Sequence, residues 1–148
     1  MKRISIVVIL FLTVIGATSA NGREGTPEFK GAKNFNASFP GATNVEYKTT
    51  GQFTKVEFTW KELKLEAFYD KDGALIATGR QIAIGNLPLS AQLNMDKEYP
   101  GYFPVQASEF NDVNDGLCYY VTVSSPEKSY ILHISPNGSI DVFKKMKN

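Results

Sequence analysis

The stretch Val56-Glu57-Phe58-Thr59-Trp60-Lys61-Glu62-Leu63-Lys64-Leu65-Glu66-Ala67-Phe68-Tyr69 decides the fold class. Val56, Phe58 and Trp60 alternate with polar residues, and Leu63, Leu65, Ala67 and Tyr69 alternate with Lys64, Glu66 and Phe68. An apolar residue at every second position buries one sheet face and leaves the other to solvent. A tight turn at Lys61-Glu62 sets Trp60 opposite Leu63, Phe58 opposite Leu65 and Val56 opposite Ala67, so the apolar faces agree. The same register sets Glu57 opposite Glu66, a like-charge pair that Lys55 and Lys64 on the diagonals offset.

Working outward, Val45 and Tyr47 mark a preceding strand. Ala32, Phe35 and Phe39 recur at helical spacing until Pro40-Gly41 closes the segment. Such a helix of about two turns is marginal alone and needs a sheet to pack on. Downstream, Asp70-Lys71-Asp72-Gly73 is a turn, with Gly73 suited to positive φ, and a strand is predicted over 74–83. Pro88 suits a first helical position and opens a helix over 89–99 that Pro100-Gly101 ends. Strands follow over 103–110, 117–124, 129–135 and 139–145. The punctuation repeats: Phe39-Pro40-Gly41-Ala42 matches Tyr99-Pro100-Gly101-Tyr102, and the turn at Gly73 matches Ser135-Pro136-Asn137-Gly138. The expectation is an α+β fold of two tandem units over 32–84 and 87–147. Each would be a helix plus a four-stranded antiparallel sheet, the helices packed on one face. A unit of ~50 residues seldom holds a core alone, but two units sharing a sheet could, within one domain over 32–148.

The chain of 148 residues opens with Met1-Lys2-Arg3, an apolar run from Ile4 to Ile15, and Thr18-Ser19-Ala20. A basic start, a short apolar run and small residues are the pattern of a secretory signal peptide over 1–20. The run is short of the roughly 20 residues a membrane span needs. Cleavage there leaves 14 basic and 15 acidic residues, a net charge of −1. Asn21 to Gly31, with three glycines and a proline, reads as a flexible lead-in. The expected location is therefore periplasmic or secreted, with no membrane insertion of the mature chain. A near-neutral domain lacks the basic footprint of nucleic-acid binding. One Cys and one His exclude an internal disulfide and the usual clustered zinc sites.

Individual candidates are few. Asp70 and Asp72 suggest calcium, but a calcium loop needs a Glu about twelve positions on, and Gln81 stands there. Ser135-Pro136-Asn137-Gly138 keeps the turn and drops both acids, so this is a turn. Cys118 and His133 alternate with the apolar stripes, and catalysis would need them adjacent, with a third residue orienting the imidazole. No metal or cofactor is expected. The polar sheet face carries Glu46, Lys48, Lys55, Glu57, Lys64 and Glu66 with Phe68 in the first unit. In the second it carries Cys118, Tyr120, Thr122, Ile131 and His133. Aromatic residues on an otherwise solvated face favour protein contacts, which makes Phe68, Tyr120, Ile131 and His133 the candidate binding residues.

The aromatic-Pro-Gly helix end, the aromatic strand, the Tyr69-Asp70-Lys71-Asp72-Gly73 turn and the second Leu87-Pro88…Tyr99-Pro100-Gly101 helix resemble the PepSY-like domains of bacterial exported proteins. These share the fold of the beta-lactamase inhibitor protein. The resemblance runs from about Ala32 to Lys147. It implies tandem α/β units, an exported location, no catalytic residues, and protein binding or peptidase inhibition. The expected function is an exported, non-catalytic binding module that docks another exported protein on its open sheet face. The alternative is a periplasmic small-ligand or envelope-stress protein holding an apolar molecule between helices and sheet.

Overall fold

The computed structural model describes residues 29–147. The expected signal segment and residues 21–28 of the lead-in lie outside the described residues. In chain order the elements are α1 (Ala32–Ser38), β1 (Thr43–Thr49), β2 (Phe53–Trp60), β3 (Leu63–Asp70), β4 (Leu75–Ile82), α2 (Leu89–Glu98), β5 (Phe103–Asp112), β6 (Gly116–Ser124), β7 (Lys128–Ile134) and β8 (Ile140–Lys147), with one 3-10 turn at Ile84–Asn86 before α2. The eight strands form one antiparallel sheet in the order β1 to β8.

The expectation of two tandem helix-plus-four-stranded units is therefore corrected. β4 and β5 pair in unbroken register from Ala77 opposite Asp112 to Ile82 opposite Ala107. What results is a single sheet, with two short helices as minor elements. The reason lies in backbone hydrogen bonding. Ending a sheet at β4 would leave its outer N–H and C=O groups as an open edge, and pairing with β5 satisfies both edges at once. The β4–β5 ladder is joined through the long connection 83–102, which carries no hairpin signal.

The β2–β3 hairpin has the expected register, including Glu57 opposite Glu66. Its two turn residues, Lys61 and Glu62, both take positive φ, +50° and +67°. That is the primed turn whose twist matches the flanking strands, here built without glycine. The Trp60–Leu63 pair closes it, and Lys61 Nζ sits 4.2 Å over the Trp60 ring.

Both helices lie on one sheet face. Phe35 of α1 and Phe39, the residue that follows the helix, stand one turn apart and bring their rings to 4.9 Å and 4.6 Å from Phe58, over Val56, Ala67 and Tyr69. Phe29 joins this cluster at 5.4 Å from Tyr47 and 5.3 Å from Tyr69. The core thus reaches back into the end of the stretch read as a lead-in, because a phenylalanine can pack wherever the chain passes an open apolar surface. Under α2, Ala91 and Met95 cover Ala107, Tyr119, Val121, Val123, Leu132 and Ile134.

A small tie recurs at both helices. Asn34 Nδ2 donates to the Gly73 carbonyl at 2.7 Å, and Asn94 Nδ2 donates to the Gly138 carbonyl at 2.9 Å. Each glycine is in a turn at positive φ, +83° and +88°, where a Cβ is disfavoured. The helix ends match as well: Phe39 N–H donates to the Phe35 carbonyl at 2.8 Å, and Tyr99 N–H to the Met95 carbonyl at 2.9 Å. Among the described residues no helix is long and apolar enough to cross a membrane.

Candidate interaction face

Strand alternation puts Phe53 of β2, Phe68 of β3, Ala77 of β4, Phe110 of β5, Tyr120 of β6 and Ile131 of β7 on the face away from both helices. Gly79 of β4 stands opposite Glu66 on one side and Phe110 on the other. A Cβ at Gly79 would lie 3.3 Å from Phe110 Cδ2, so the missing side chain is what lets the ring lie across β4 toward β3. The rings then form a chain across the sheet. Phe53 to Phe68 is 5.8 Å, Phe68 to Phe110 5.4 Å, Phe110 to Tyr120 5.9 Å and Tyr120 to Phe143 5.2 Å. These are spacings at which edge-on aromatic pairs attract. Phe143 joins because the β7–β8 register shifts between Ile131 and Leu132, and such a bulge re-aims the side chains beyond it.

The four candidate residues from the sequence are brought together here. Phe68, Tyr120 and Ile131 belong to one buried cluster with Ala77 and Phe110, and the half-buried His133 lies 5.3 Å from the Tyr120 ring. Their exposure differs from the expectation of an open face. Phe68 is 1% exposed, because neighbouring side chains on the same face cover one another. These residues form a floor. The accessible apolar group beside it is Phe143, 37% exposed. Sequence reasoning missed Phe53, Phe110 and Phe143. A glycine inside the β4 pattern was the available signal for Phe110, since it marks close approach.

At the β1–β3 end this face is charged. Lys55 Nζ lies 2.7 Å from Glu57 Oε1 and 2.5 Å from Glu66 Oε1. Burial pushes the Glu66 carboxyl above its ordinary range, with the Lys55 ammonium opposing. For Lys55, burial pulls downward, but the carboxylates of Glu57 and Glu66 beside it win and its pKa is raised.

The chemistry available to Cys118 is limited. Burial, reinforced by the negative charge of Asp112, pushes its thiol up to about 11, so the nucleophilic thiolate is scarce at neutral pH. Burial pushes the Tyr120 hydroxyl up to about 12. Among the described residues no group of three His, Cys, Asp or Glu side chains is placed to hold a metal. In the Asp70 turn, Oδ1 accepts the N–H groups of Asp72 and Ala74, both at 2.9 Å, as the turn reading requires. On the helix side, a shallow depression of about 130 Å³ lies between Phe39, Phe58, Thr78, Arg80 and Glu109, with the Arg80–Glu109 ion pair at 2.8 Å in its wall. Ligand pockets usually hold roughly 300–1,000 Å³.

No family model matches the sequence, and no curated protein matches it. Solved structures share its architecture. A BLIP-like protein from Bacteroides fragilis is 18% identical, with a TM-score of 0.69 over 86% of this chain and 91% of that one. The fold is BLIP-like. A protein from Bacteroides eggerthii, put forward as periplasmic, is 10% identical with a TM-score of 0.70 over 83% of this chain and 89% of that one. A DUF2874 family protein from Bacteroides uniformis is 12% identical with a TM-score of 0.70 over 83% and 90% of the two chains. At these identities the likeness concerns the fold.

Proposed function

We propose that the chain is an exported, non-catalytic binding module, related to PepSY-like domains, that docks another exported protein on its helix-free sheet face. The observation that carries this reading is the chain of aromatic rings from Phe53 to Phe143 on a face that neither helix covers. A rigid aromatic floor with an accessible Phe143 and a half-buried His133 beside it offers the buried-centre, polar-rim anatomy of protein interfaces. The BLIP-like fold and a neighbour put forward as periplasmic add support. A peptidase is the partner class that the PepSY-like resemblance suggests. The small-ligand reading draws less support, because the depression between helix and sheet holds about 130 Å³, and a larger one of about 290 Å³ beside Asn44, Glu46, Glu57 and Lys64 is lined mostly by polar and charged residues.

The test is photocrosslinking in the native cell envelope, with a photoreactive phenylalanine analogue at position 143 or, on the outer surface of α2, at position 93. A discrete protein adduct from 143 and none from 93 is expected. No adduct from 143, or the same adduct from both positions, contradicts the reading.

A further inference from the structure

Glu46 of β1, Glu57 of β2 and Glu66 of β3 occupy consecutive register positions on the helix-free face. Paired strands lie roughly 4.7–4.9 Å apart, so three carboxylates stand in a row. Lys55 reaches both Glu57 and Glu66. Only 7% of the Glu66 side chain is exposed. Its Oε1 has the Lys55 ammonium beside it but no hydrogen bond of good alignment. Its Oε2 points over Gly79, 3.6 Å from where a Cβ would be, with the Phe110 ring alongside. The charged groups around it are Glu46 and Lys48 from β1, Lys55 and Glu57 from β2, and Lys64 from β3. β4 and β5 present Gly79 and Phe110, which carry no charge, and Arg80 and Glu109, which line the same depression as Glu66 and pair with each other. A buried carboxylate that shares its ammonium with a second carboxylate, against a glycine and an aromatic ring, favours holding a proton.

We propose that Glu66 is a proton-binding switch on this face: on mild acidification it takes up a proton and leaves Lys55 to pair with Glu57, so the face loses one negative charge and the fold gains stability. The raised pKa of Glu66 agrees with this. The sign follows from linkage. Between the ordinary value of 4.5 and the raised folded value, the folded chain binds more protons than the unfolded one. Stability therefore rises as pH falls through that window and is lost as pH rises through the folded value. Lys55 keeps its charge throughout, since its own pKa is raised.

Two measurements decide the matter: carboxyl-carbon NMR titration of Glu66, and thermal unfolding of wild type and Glu66→Gln between pH 4 and 8. The expected result is a Glu66 midpoint above 4.5, with wild type losing melting temperature relative to Glu66→Gln as pH rises across the window. A midpoint at or below the ordinary value, or parallel pH profiles for the two proteins, overturns the proposal. If Glu66→Gln does not fold, the titration of wild type decides alone.

Discussion

Replacing Phe68 by alanine separates a packed helix-free face from an open one. Phe68 is 1% exposed and touches Phe53 at 5.8 Å and Phe110 at 5.4 Å between ring centres. Glu66 and Gly79 of the neighbouring register row are both buried beside this cluster, so little can collapse into the vacated volume. Truncating a phenylalanine in such a site costs about 3–5 kcal/mol, the lost transfer energy plus the cavity. The same change on a solvated strand face stays within about 0.5 kcal/mol. For a domain of this size the larger figure lowers Tm by roughly 10–20 °C. The assay is urea unfolding followed by tryptophan fluorescence and by circular dichroism, with the midpoint falling and the denaturant slope unchanged. Phe110→Ala and the double variant complete a cycle. The ring pair should show a coupling of about 0.5–1.5 kcal/mol beyond area burial. Phe143→Ala, on a residue 37% exposed, is the control and should cost about 1 kcal/mol or less. A loss below about 1 kcal/mol for Phe68→Ala, equal to that control, would refute the packed face.

Gly79→Val places methyl groups where even a Cβ would be 3.3 Å from Phe110 and 3.6 Å from Glu66; denaturant unfolding should show a loss of about 1–3 kcal/mol from overpacking, and an unchanged midpoint would contradict the ring position. Tyr69 and Tyr120 are both pushed up to about 12 by burial. They keep their protons above pH 10 while the unfolded chain loses them, so stability falls as pH rises from 10 toward 12. Ultraviolet titration should show their ionisation arriving with unfolding; early, reversible titration of all tyrosines would count against it.

The hairpin from Val56 to Ala67 was legible because alternation, turn and charge pattern all agree on one register, and Trp60–Leu63 through Val56–Ala67 stand as read. Helix stops at Phe39-Pro40 and Tyr99-Pro100 were legible because proline punctuation acts locally. A shared sheet was legible as what two small units need, but the β4–β5 register that makes it continuous was not, since it depends on pairing Gly79 with Phe110 across a connection that carries no turn code. The same gap hid the aromatic floor. Read strand by strand, Phe68 stands alone among Lys55, Lys64 and Glu66; extending the hairpin register sets Phe53 on one side of it, and only the β4–β5 register sets Phe110 on the other. Phe143 was lost differently, since a bulge breaks the period-two count on which face assignment rests. At Phe29 the glycine-rich surroundings pointed to a loop while its ring was committed to the core with Tyr47 and Tyr69.

Aromatic nuclear Overhauser spectroscopy in solution addresses the helix-free face most directly. Contacts should run unbroken from Phe53 to Phe68, on to Phe110 and Tyr120, and end at Phe143, crossing the β4–β5 junction. Contacts that stop at Phe68, with Phe110 seen only against residues of β5 to β8, would contradict a single sheet closed by one aromatic floor.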